Sequence, residues 1–176
     1  MGSARRIGTL AVALFLCLSL PAAWAQDPSK TADADSAAIE QVITDFYGNF
    51  SRHDAHAMAM TFVEDGDLTN MFGILIHGRK GIEERLAALF TGILRAAHRT
   101  DTVRSIRFFT PQVAFLDADT LITDTKANDG SDIPVRKGLL IAVLTKQDGR
   151  WLISNLHEAE FPVTRPAPVI APAKHE

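Results

Sequence analysis

Cysteine is all but missing from this chain: Cys17 is the only one among 176 residues. It falls in an apolar N-terminal stretch that reads as a removable leader. The remaining chain therefore has no disulfide, no thiol nucleophile and no cysteine metal ligand, even in an oxidising compartment. Clusters of lysine and arginine are also absent. With a formal charge of −3, the chain lacks the electrostatic footprint of a nucleic-acid binder. No HExxH, CxxC or close trio of ligands supports a metal site. His53, Asp54 and His56 are metal-like in type, but Asp54 is better placed as a helix cap and no further ligand is spaced with them. Nor does any GxSxG, P-loop or GxGxxG support acyl transfer, nucleotide hydrolysis or a Rossmann cofactor. Neither a metal nor a cofactor is expected.

What is present begins with an address. Arg5 and Arg6 precede the uncharged apolar run Ile7 to Leu20, then Pro21 and Ala23-Trp24-Ala25. This is the order of a secretory signal peptide cleaved after Ala25. The run is shorter than the roughly 20 residues of a membrane span, and the bulky Leu16 before Cys17 argues against lipoprotein processing. Residues 1–25 are thus read as a signal peptide, and the protein as periplasmic or secreted with no membrane attachment after cleavage. Removing 25 residues leaves 151, and losing two arginines and no acids moves the formal charge from −3 to −5. That length suits one domain with a core of its own.

Residues 26–34 are small and polar and read as a flexible lead-in; 162–176 carry four prolines and read as a disordered tail. The domain is then 35–161. Ile39, Val42, Ile43, Phe46, Tyr47 and Phe50 lie on one helical stripe, with Asp35 or Ser36 as its cap. A short helix is expected after Asp54. Asp67–Asn70 and Ile74–His77 read as a hairpin around Gly73. Ile82, Leu86, Leu89, Phe90, Ile93, Leu94 and Ala97 mark one long helix, with His98 near its C-terminus. Four strands follow, 103–109, 113–125, 135–146 and 151–161, with Asp129-Gly130 and Asp148-Gly149 as turn signals. Helices first and a meander afterwards predict an α+β fold.

This element order resembles the NTF2-like superfamily, and within it SnoaL-like and DUF4440 proteins of the SgcJ/EcaC group. The resemblance runs from Ala37 to about Glu160. It is carried by Phe62-Val63-Glu64-Asp65-Gly66-Asp67-Leu68-Thr69-Asn70, Phe72-Gly73, His77-Gly78-Arg79, Gly81-Ile82, Asp148-Gly149-Arg150-Trp151-Leu152-Ile153 and His157. It implies a cone: about three N-terminal helices packed on a strongly curved, mostly antiparallel sheet around one pocket. It also implies a homodimer formed through the outer sheet face. In ketosteroid isomerases of the superfamily the general-base aspartate lies three residues before the glycine that Gly73 resembles. Here that position is Asn70, whose amide is no base. Many SgcJ/EcaC-like chains also end His-Asn-Thr, where this one has His157-Glu158-Ala159.

Alternation on the last strand puts Trp151, Ile153, Asn155, His157 and Ala159 on one face. Apolar residues with Asn and His at one end suit a small-molecule pocket. His157 is the best candidate for ligand contact or general base, against a core histidine satisfied by a neighbour. Asn70 orients a ligand or holds a turn. Asp124 and Arg136 reach the pocket or form a cross-strand ion pair. Tyr47 offers a hydroxyl from the first helix or simply packs. The expected function is to bind a small hydrophobic or mixed-polarity ligand in a cone-shaped pocket. The alternatives are a cofactor-free isomerase, dehydratase or hydrolase using His157, and a dimerisation module.

Overall fold

The computed structural model describes residues 28–161. The leader, and the tail from 162 on, lie outside the described residues. Three helices precede the long meander: α1 (Pro28–Ser51), α2 (Ala55–Ala59) and α3 (Gly78–Phe90). Between α2 and α3 stand β1 (Phe62–Thr69) and β2 (Leu75–His77). After α3 come β3 (His98–Thr110), β4 (Val113–Thr123), β5 (Arg136–Gln147) and β6 (Arg150–Glu160). The six strands form one sheet in the order β2-β1-β6-β5-β4-β3. Every pairing is antiparallel except β1 with β6, which are parallel. This is the expected α+β arrangement.

The core lies between the inner sheet face and the helices. Ile39, Ile43, Phe46 and Phe50 of α1 are buried, while Val42 and Tyr47 pack beside them partly exposed. From the sheet come Leu116, Ala118, Leu140, Leu144 and Ile153, all fully buried. Asp54 caps α2 by accepting from the Ala57 N–H at 2.9 Å. Asp148 (φ 50°) and Gly149 (φ 77°) take the two left-handed positions that a tight β5–β6 hairpin requires.

Several boundaries differ from the expectation. The first helix starts at Pro28, so residues 28–34 are its opening turns and not a flexible lead-in. A proline there sacrifices no helical hydrogen bond. Asp35 consequently sits inside the helix and caps nothing. It accepts from Lys146 Nζ at 2.6 Å and Trp151 Nε1 at 2.9 Å, tying α1 to the β5–β6 hairpin. The long helix ends at Phe90, and Leu94 and Ala97 fill the core from the irregular turns that follow. His98 therefore opens a strand.

The Asp35 contact gives an acid-sensitive tie. Burial alone would raise its pKa. Hydrogen bonds from Lys146 and Trp151, with the lysine charge, outweigh that and hold it below the ordinary value of 3.8. The unfolded chain then takes up this proton more readily than the folded one. The contribution to stability is complete above about pH 5 and is lost as pH falls through 3.8 and below. Asp35→Asn should weaken the fold near neutrality and flatten its loss of stability between about pH 5 and pH 3. Urea unfolding across that range checks this, and identical acid slopes in the two proteins would refute it.

Candidate functional site

A cavity of about 120 Å³ opens between α3, the β1–β2 hairpin and the inner sheet face. Its walls are apolar. Phe50 and Met58 contribute from α1 and α2, Leu68 and Ile76 from the hairpin, and Leu86 and Leu89 from α3. Met71 and Phe72, in the hairpin turn, stand at the rim, and Phe72 is 76% exposed. Polar lining comes from Asn70, Arg85, Arg99, Arg136 and Glu158.

Arg99 and Glu158 belong to a buried network that starts on β3. Strand alternation turns Arg99 and Asp101 inward together, with side chains only 1% and 0% exposed. Arg99 Nε donates to both Asp101 oxygens, at 2.9 and 3.1 Å. Its Nη1 donates to Glu158 Oε1 across the sheet, and Thr120 Oγ1 donates to Asp101 at 2.6 Å. Below the guanidinium lie two rings, with Phe46 at 4.8 Å and Phe50 at 5.7 Å from Cζ to the ring centre. Burial by itself would lower the Arg99 pKa. The carboxylates of Asp101 and Glu158 more than offset it, so the group is raised above its usual value and stays charged. The triad carries one positive and two negative charges and leaves Glu158 toward the cavity.

Glu158 faces inward because β6 is bulged. Its pairing to β5 steps from Leu144↔Ile153 directly to Val143↔Asn155, so Ser154 is an extra residue without a partner. An extra residue reverses the alternation beyond it. Trp151 and Ile153 are buried before the bulge, and Leu156 and then Glu158 face inward after it, while His157 is exposed on the outer face.

The structure therefore separates the residues that the sequence grouped. Asn70 and Arg136 line the cavity. Asn70 Oδ1 is also occupied by the hairpin turn, accepting from Phe72 N–H at 2.9 Å and Ile74 N–H at 3.0 Å. Arg136 donates to Glu160 at 3.1 Å and touches the Met71 sulfur, so its ion pair is with β6 and not with Asp124. Asp124 is exposed in the loop after β4, with φ 58°, and accepts from Thr123 Oγ1. Trp151 is buried beneath the α1 tie, its ring 5.8 Å from Phe108. Tyr47 packs on the core, and Asn155 and His157 pair toward β1; none of the three lines the cavity. Arg99, Asp101 and Glu158 were missed. The signal was available as an acid and a base two apart inside a β run, a spacing that puts both on one face. Placing a helix end at His98 hid it. Among the described residues, no group of three His, Cys, Asp or Glu could hold a metal ion.

Comparison with known proteins follows the fold. A family model described as a SnoaL-like domain matches residues 32–157. A putative scytalone dehydratase from Novosphingobium aromaticivorans superposes with a TM-score of 0.67 at 18% identity, covering 76% of this chain and 89% of that one. A domain of unknown function with a cystatin-like fold from Nostoc punctiforme gives 0.66 at 22% identity, covering 74% and 80%. A ketosteroid isomerase-like protein from Erwinia carotovora atroseptica gives 0.60 at 17% identity, covering 72% and 95%. No curated protein sequence matches the chain. At these identities the structural likeness speaks for the fold alone.

Proposed function

Because the chain belongs to the SnoaL-like domain family, an NTF2-like fold, we propose that it binds a small, largely apolar molecule in this cavity as an exported protein. One observation carries the reading: about 120 Å³ of space enclosed by apolar side chains over a polar floor. A dry apolar cavity of about 150 Å³ takes up benzene, so this one suits a single ring or a short branched chain. Export rests on residues 1–25, and the homodimer on the outer sheet face. There Leu139, Ile141 and Val143 are half-exposed side by side with the outward positions of β4 and β6.

The test is thermal unfolding of the purified protein with toluene and related single-ring compounds. A ligand at about 100 times its Kd stabilises by about 2.7 kcal/mol, several degrees in a domain of this size. Leu89→Trp, which fills the cavity from α3, should abolish the shift. Lack of a shift with every ring compound, or a shift that survives Leu89→Trp, would refute binding in this cavity.

A second reading, a cofactor-free isomerase, dehydratase or hydrolase, is favoured by one observation. Glu158, a carboxylate set on a buried guanidinium, faces the cavity and could serve as its acid–base group. Similar structures described as a putative scytalone dehydratase and as ketosteroid isomerase-like agree with it. His157 does not support it, because it faces away from the cavity.

A further inference from the structure

The polar groups around the cavity are mostly donors. Glu158 supplies the carboxylate, and its charge is held by Arg99. The other groups carry N–H donors that no oxygen among the described residues takes up. Arg85 makes no hydrogen bond or ion pair among those residues. Arg136, its side chain only 12% exposed, commits Nε to Glu160, while Nη2 meets the Met71 sulfur, a weak acceptor. Asn70 is fixed by its own turn. Its Oδ1 accepts from the Phe72 and Ile74 N–H groups, which leaves the amide Nδ2 as the end without a partner. Water satisfies such donors wherever it reaches them, so a ligand that displaces it loses affinity unless it brings acceptors.

Charge and position single out Arg85. Arg99 and Arg136 each hold a carboxylate, and Arg85 is the cavity cation without one. It stands one helical turn before Leu89, so the charge and the apolar wall share one face of α3. Arg85 is exposed, which places its charge at the mouth. An anion bound there keeps part of its hydration, whereas one on the floor would be buried beside Glu158.

From this we infer that the cavity takes a small apolar monocarboxylate, its single ring or short branched chain inside and its carboxylate on Arg85. A carboxylate carries acceptors only and matches the planar fork of a guanidinium. The inference rests on the small-molecule reading above and names the head group which that reading leaves open.

Calorimetric titration of the purified protein with benzoate, toluene and benzylamine tests it, using the wild type, Arg85→Gln, Arg85→Lys and Asn70→Asp. Benzoate should bind the wild type more tightly than toluene or benzylamine. Its affinity should fall roughly ten-fold in Arg85→Gln, the effect of losing a hydrogen bond between charged groups, and recover in part in Arg85→Lys, which keeps the charge without the fork. Asn70→Asp retains an oxygen for the turn and puts a negative charge where the amide donor was, so benzoate should weaken there too. Toluene affinity should be unchanged in all three variants, which also shows that the cavity remains folded. Benzoate binding that is indifferent to Arg85→Gln, or that is weaker than binding of toluene or benzylamine, overturns the head-group assignment while leaving the cavity as a binding site. If none of the three compounds binds the wild type, the cavity reading falls, and this inference with it.

Discussion

Asp101→Ala should destabilise the protein by about 3–5 kcal/mol, the usual cost of leaving half of a buried ion pair behind. In a domain of this size that lowers the melting temperature by on the order of 10 °C. Asp101 has a fully buried side chain and accepts from Arg99 Nε with both oxygens, and from Thr120 Oγ1 as well. Without it, the guanidinium keeps Glu158 but faces an empty, dry space where two charge-assisted bonds had been. Removing the whole set should cost far less than removing one member. Asp101→Leu combined with Arg99→Leu and Glu158→Leu takes the charges out together, and well-packed apolar replacements of buried ion clusters are often neutral. Chemical denaturation of the single and triple variants measures both. A loss below about 1 kcal/mol for Asp101→Ala, the range of an exposed pair, would mean that water reaches Arg99.

Phe46→Ala should cost a similar amount, about 3–5 kcal/mol, because a buried phenylalanine leaves a cavity that its surroundings only partly refill. Phe46 is 0% exposed. Its ring packs edge-on against Phe62 at 6.0 Å and lies under Arg99 at 4.8 Å. It therefore supports the charged floor of the cavity as well as the α1–sheet contact. Phe46→Leu should lie between the two, since it keeps most of the apolar area and loses the ring face beneath the guanidinium. Equal stability of Phe46→Leu and wild type in denaturant titrations would remove the cation–π contact from this account.

Much of the fold was legible because local patterns carried it. The stripe Ile39–Phe50 has helical spacing, and four of its six members, Ile39, Ile43, Phe46 and Phe50, are buried. Asp54 was recognisable as a cap, and Asp148-Gly149 as a hairpin turn, because each solves a local backbone problem. The end of α3 was not legible. Leu94 and Ala97 continue the helical spacing and are buried, yet the backbone has already left the helix at Thr91. Burial there is decided by what the sheet leaves open, and a turn can fill that space as well as a helix. Asp35 shows the opposite case: a good capping residue used instead in a long-range tie to Lys146 and Trp151.

By itself the sequence determined the class of fold and the apolar character of the interior, since both follow from short-range periodicity. Which face the end of β6 presents was decided only by tertiary structure. One unpaired residue, Ser154, shifts the register against β5, and pairing register is a property of two strands that one strand's alternation does not contain. That shift sends His157 to the outer face and brings Glu158 to Arg99, 59 positions away in the chain. The candidate site is therefore built on a guanidinium and two carboxylates, and not on the histidine that alternation alone selects.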